Sequence, residues 1–185
     1  LADVISGKQT PSGKLTDTWA KHYRDLPFAD EYSYLNGNLD EEYYREGIYV
    51  GYRYFDTFGI KPAYEFGYGL SYTNFDINVK NVSVNEDKVT VKAEVTNTGK
   101  TYSGKEVVQV YFSAPDSKDA EKEYQQLAAY GKTDELAPGE SQVLTLTYDT
   151  DEMAYYSEEK ASYILDPGTY YVRVGDSSRN TKVAA

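Results

Sequence analysis

From Lys88 onward, hydrophobic and polar positions alternate with a period of two. In KVTVKAEVTNTG, Val89, Val91, Ala93 and Val95 fall on one face, and Thr90, Lys92, Glu94 and Thr96 on the other. That is the pattern of a strand with one buried side. EVVQVYFSAP, SQVLTLTYD and GTYYVRVGDSS follow, each bounded by Gly, Pro, Asn or Asp, and read as further strands. LAPGES and LDPGTYY both set Pro-Gly in a turn just ahead of a strand. The longest irregular piece, DSKDAEKEYQQLAAYGKTDE, holds either a crossing strand at YQQLAAY or a loop.

Before residue 76 the periodicity is poor. LADVISG reads as the last turn of a helix with Gly7 as its C-terminal cap. TPSGKL supplies turn residues, and IYVGYRYF reads as a short buried strand. Several short strands with turn signals between them, over about 110 residues, predict an antiparallel β-sandwich of immunoglobulin or fibronectin type III kind. The missing Cys…Trp…Cys spacing favours the second. The expected fold is therefore mainly β, with a fibronectin type III-like (immunoglobulin-like) sandwich over residues 77–185. Residues 1–76 form a different piece, whose strand and helix end need partners that the chain does not supply.

Composition narrows the function. The 185 residues are 40% hydrophobic and 26% charged, as in a folded protein, and carry a net charge of −11. Such a surface repels a phosphate backbone, which argues against nucleic-acid binding. No apolar run approaches the roughly 18 residues of a membrane span, and no basic, then apolar leader opens the chain. Without cysteine there is no disulfide framework and no thiolate metal site. The compartment stays open between a bacterial cytoplasm and secretion. The chain opens at Leu1 rather than Met, the start expected of a processed product or an excised piece.

Candidate chemistry is sparse. In DEEYYRE, a helix would set Glu42 and Glu46 one turn apart on one face, the raw material of a two-carboxylate glycosidase. Acidic residues in such a run are more often simply solvated. His22 is the single histidine, so a triad or a histidine metal site would rest on it alone. Asp149 to Glu152 (DTDE) lack the spaced oxygens and glycine of a calcium loop. The two glycines of FGYGLSY lack the third glycine and strand–turn–helix setting of a nucleotide site. Asn81 opens a glycosylation sequon, NVS, relevant to a eukaryotic secretory chain. No catalytic, cofactor or metal residue is assigned.

The aromatics are the remaining signal. Trp19, Tyr43, Tyr44, Tyr49, Tyr52, Tyr54, Phe55, Tyr64, Phe66, Tyr68 and Tyr72 crowd one short span, in a chain with 21 tyrosines. Sugars stack on such rings, but tyrosine also suits seams, where one end is buried and the hydroxyl finds a partner. In EFGYGLSYTNF the glycines permit tight turns and the rings fill a seam. Tyr52, Phe66, Tyr68 and Tyr72 are accordingly expected at an interdomain junction.

PSGKL (11–15), EGIYVGYRYFD (46–56), FGYGLSYTNF (66–75), VTNTGKTYSGKEVVQVYFSAP (95–115) and LAPGES (136–141) together resemble glycoside hydrolase family 3, chiefly β-glucosidases and β-xylosidases. The resemblance implies a parent enzyme in which a (β/α)8 barrel supplies a nucleophilic Asp and an α/β sandwich domain supplies the acid/base Glu. A fibronectin type III-like domain commonly follows. Mapped here, residues 1–76 resemble the C-terminal remnant of the sandwich domain with its junction, and 77–185 the fibronectin-like module. Neither catalytic carboxyl has a counterpart in this chain. LTDTWA departs from the family's usual proline-containing run, and QQLAAYGKT from its Gly-Phe-rich strand.

The implied function is that of a structural, interdomain part of a retaining exo-β-glycosidase acting on oligosaccharides or glycosides. It needs no cofactor, and its partners are the barrel and sandwich domains; homo-oligomerisation is left open. A stand-alone carbohydrate-binding or adhesion module is the alternative.

Overall fold

The structure, a computed structural model, describes residues 1–32 and 36–185. Two short helices, α1 (Ala2–Ile5) and α2 (Tyr52–Thr57), precede nine strands. These are β1 (Phe75–Asn85), β2 (Lys88–Asn97), β3 (Val107–Ser113), β4 (Gln126–Lys132), β5 (Ser141–Asp149), β6 (Tyr155–Ser157), β7 (Ser162–Ile164), β8 (Tyr171–Gly175) and β9 (Thr181–Val183). One antiparallel sheet runs β1-β2-β5, the other β4-β3-β8-β9, and β6 and β7 form a separate hairpin. The fold is mainly β, as the alternating runs predict.

The core lies between the two sheets. Val91, Ala93 and Val95 of β2 are fully buried with Leu146 and Tyr148 of β5, facing Val108, Val110 and Phe112 of β3 and Val172 and Val174 of β8. On β2 the outward residues are charged or hydroxylic, so one face of this sheet meets water and the other the core. YQQLAAY resolves as a strand: Gln126–Lys132 pairs with β3 as the edge of the second sheet. A register shift between Val79 and Asn81 interrupts β1, leaving Lys80 out of the β2 register, although its ammonium pairs with Glu94 at 2.7 Å. After this bulge Val82 and Val84 pair with Val91 and Val89, so inward-facing positions switch from odd to even numbers.

β3 is buried on both faces. Val108, Val110 and Phe112 enter the core, while Gln109, Tyr111 and Ser113 point the other way and are equally dry. Residues 9–74 supply the second cover. Tyr52 packs against the Tyr111 ring and Phe66 against Tyr52, and Gly67 lies on the Gln109 amide. Gly67 has φ +83, and any side chain there would run into that amide.

IYVGYRYF is not a strand. Gly51, at φ 58, turns the chain into helix α2. Tyr54 and Phe58 then sit one turn apart with ring centroids 5.1 Å apart, and Phe55 is buried. The aromatic run satisfies helical i,i+4 spacing as well as strand burial, and the glycine decides between them. LADVISG is the short helix expected, with Gly7 at φ 75 just beyond it. Among the described residues no helix is long and apolar enough to cross a membrane.

Candidate functional site

Residues 41–46 are irregular, so the helical turn expected to align Glu42 and Glu46 does not form. Glu42 is exposed, and Glu46 is half-buried, its carbonyl accepting from the Tyr49 N–H. The local sequence prefers side-chain bonding to helix: Asn38 Oδ1 accepts from the backbone N–H groups of Asp40 and Glu41, and Tyr43 donates to Glu41. His22 is exposed and leads into a 3-10 turn, its backbone N–H donating to Asp25. Asp149 pairs with Lys88 at 2.9 Å on the surface. Asn81 is exposed on β1. Among the described residues no group of three His, Asp or Glu is placed to hold a metal ion.

What the structure builds is a seam between residues 1–74 and the second sheet. Tyr52 is its centre: its hydroxyl accepts the Leu127 backbone N–H at 2.8 Å, and its ring lies 4.9 Å from Phe66 and 5.8 Å from Tyr111. Tyr111 is fully buried and donates to Gln109, and burial drives its hydroxyl far above its ordinary range. Tyr72 lies away from that sheet, donating to the Val4 carbonyl at 2.7 Å with its ring beside Tyr102 in the loop between β2 and β3. Tyr68 belongs to a different surface. It joins Tyr64, Trp19, Leu15, Pro11 and Leu70 in a groove of about 440 Å3, where Trp19 stays 56% exposed.

The seam also contains polar residues that no sequence pattern singles out. Arg179 donates from Nε to Asp56 Oδ1 at 2.8 Å and from Nη2 to the Phe55 and Ile60 carbonyls at 2.7 Å, closing the C-terminal end of α2. Gln125, fully buried, bridges Asp56 Oδ2 and the Ser178 carbonyl. Burial pushes the Asp56 carboxyl upward, against the opposing pull of Arg179 and of these hydrogen bonds. Lys14 pairs with Glu106 at 2.8 Å and Lys132 donates to the Ser12 carbonyl. These contacts join residues more than 50 positions apart, which is why adjacency in sequence did not disclose them.

The chain matches two family profiles: the glycosyl hydrolase family 3 C-terminal domain over residues 1–52, and a fibronectin type III-like domain over 106–178. It is 38% identical to a β-glucosidase of Kluyveromyces marxianus, over 96% of this chain and 21% of that protein. An exo-α-(1→6)-L-arabinopyranosidase of Bifidobacterium breve is 39% identical over 97% of this chain and 23% of its own length. A solved β-glucosidase structure from Paenibacillus barengoltzii superposes with a TM-score of 0.92 at 43% identity, over the whole of this chain and 20% of that one. The chain thus spans about a fifth to a quarter of the relatives it matches. With both profiles in order and both halves of the fold reproduced, the chain belongs to glycoside hydrolase family 3.

Proposed function

We propose that this chain is the structural C-terminal portion of a retaining exo-β-glycosidase of β-glucosidase type, which removes terminal β-linked sugars from oligosaccharides or glycosides. The attacking carboxylate and the acid/base carboxyl of that reaction lie outside these 185 residues. Residues 1–76 act as the closing part of the α/β sandwich domain with its junction, and 77–185 as the fibronectin type III-like domain. Tyr52, Phe66, Tyr68 and Tyr72 serve as interdomain contacts. The barrel and the rest of the sandwich domain are the partners, and the open Trp19–Tyr64–Tyr68 groove is where they dock.

The carrying observation is end-to-end likeness to about one fifth of proteins named β-glucosidases. The irregular course of residues 41–46 supports a non-catalytic role, since it denies Glu42 and Glu46 a shared helical face. The test is hydrolysis of aryl β-glucosides and β-xylosides. The chain alone is expected to give no turnover, and to restore it when combined with the complementary barrel and sandwich portion. Turnover by the chain alone, lost in Glu46→Gln, would overturn the reading.

A further inference from the structure

The charged loop between β3 and β4, which the sequence marks as irregular, has a distinct role in the fold. With the β6–β7 hairpin and residues 47–53 it encloses a cavity of about 510 Å3, within the roughly 300–1,000 Å3 of ordinary ligand sites. Its walls carry Arg53, Glu121, Lys122, Glu123, Gln126 and Tyr156. Two carboxylates and two cations leave the wall without net charge, in a molecule whose total is −11. A charged ligand meets as much repulsion as attraction there. A neutral one rich in hydroxyls can donate to the carboxylates and accept from the cations.

These groups are held but not exhausted. Arg53 Nε stands 3.7 Å from Glu123 Oε1, beyond good hydrogen-bond length, so both keep capacity for a ligand. Lys122 is fixed over the Tyr155 ring at 3.8 Å and beside Asp166 at 3.4 Å. Burial first, then the Glu121 and Glu123 carboxylates, push the neighbouring Tyr49 hydroxyl upward, as expected where both acids converge on one place. Tyr156 and Tyr163 pair directly across the hairpin, with centroids 5.3 Å apart at 69°. They remain 54% and 75% exposed. Tyr156 lines the cavity, and Tyr163 lies beside it on the hairpin surface.

We propose that this cavity is a saccharide-binding site for a neutral oligosaccharide of equatorially substituted pyranose units. The axial C–H groups of such a sugar give it an apolar face for the exposed Tyr156 ring, which Tyr163 buttresses edge-on, while its hydroxyls suit Glu121, Glu123, Gln126 and Arg53. The site extends the proposed function by naming a second place on the enzyme for the same ligand class. Its test reads binding rather than turnover, so its failure would leave the glycosidase reading standing.

Titration calorimetry of the full chain with cellotetraose is expected to give saturable one-site binding, with Kd on the order of 1 mM or tighter. Tyr156→Ala and Glu123→Gln should each weaken it about tenfold, about 1.4 kcal/mol. Tyr156→Phe, which keeps the ring, should bind like the parent, as should Trp19→Ala in the separate groove. Unchanged melting temperatures separate lost contacts from lost fold. Absence of saturable heat in the parent chain overturns the proposal. So does full binding by Tyr156→Ala, or loss confined to Trp19→Ala.

Discussion

Arg179 and Asp56, 123 residues apart in the chain, form an ion pair at 2.8 Å that ties the end of helix α2 to the turn between β8 and β9. Asp56 keeps 5% of its side-chain exposure and Arg179 keeps 30%. A pair so placed is costly to half-remove, because the carboxylate is left desolvated and the Phe55 and Ile60 carbonyls lose their donor. Arg179→Ala should therefore cost near the lower end of the roughly 3–5 kcal/mol typical of broken buried pairs, since Arg179 is partly solvated. Urea denaturation read by tyrosine fluorescence measures this. In the Asp56→Ala, Arg179→Ala double variant the loss should be well below the sum of the single losses, as expected for one shared interaction.

Asn97 is fully buried and fully bonded. Its Oδ1 accepts from the Thr73 hydroxyl and the Gly99 N–H, and its Nδ2 donates to the Tyr102 and Leu136 carbonyls. These bonds tie the last residue of β2 to the segments at Thr73, Tyr102 and Leu136. Asn97→Ala strands several polar groups away from water, at about 1–3 kcal/mol for each uncompensated group. Asn97→Asp is isosteric but aims a carboxylate at two carbonyl oxygens. Both should lower the denaturation midpoint by an amount corresponding to about 3 kcal/mol or more. A midpoint change in Asn97→Ala no larger than that of a surface substitution would refute this assignment.

The legible parts of the fold are those whose burial is one-sided and uninterrupted. SQVLTLTYD is strand β5 from end to end, and the alternation of KVTVKAEVTN is β2. β1 escapes a period-two reading because the bulge at Lys80 changes the inward parity halfway along. IYVGYRYF misleads because its aromatics fit two periods, and only the conformation at Gly51 selects the helix. The aromatic seam is visible in composition, yet its polar half is not. Arg179, Gln125 and Asp56 lie on three separate segments and acquire meaning only when the chain brings them together.

Tyr148 links the core to alkaline stability. Its ring stacks on Phe112, it is 3% exposed, and its hydroxyl finds no hydrogen-bond partner among the described residues. Burial pushes this phenol up to about 12. The unfolded phenol ionises near 10, so folding holds an extra proton between those values. Stability is then complete below about 10 and falls as pH rises toward 12, by up to about 2–3 kcal/mol from this group. Tyr148→Phe should match or slightly exceed the parent at pH 7, by up to about 1 kcal/mol, because it removes an unpaired buried hydroxyl. It should also lose less between pH 10 and 12. Parallel pH profiles for the two proteins would rule this out.

The distribution of contacts in residues 1–74 predicts where a protease enters. Residues 9–15 are tied to the sandwich by Thr10, Ser12 and Lys14, and residues 52–67 by Tyr52, Asp56, Thr57 and Glu65. Residues 20–32 and 37–46 have few such ties and are largely exposed. Dilute trypsin should therefore cut first at Lys21, Arg24 or Arg45, while the segment from Gly47 to Asn74 survives with residues 75–185 as one fragment. Mass spectrometry of the early products reads this directly. In Tyr52→Ala the Leu127 bond and the packing against Phe66 and Tyr111 are gone, so cleavage at Arg53 should join the early products, whereas Lys61, followed by Pro62, stays uncut. On the proposed docking at the Trp19 groove, the complementary enzyme portion should quench labelling of Trp19 and Tyr64 and leave the half-buried Tyr52, on a different surface, unchanged. Trp19 labelling that ignores the complementary portion would remove the groove from the proposed interface and leave the Tyr52 seam as an internal brace of this chain.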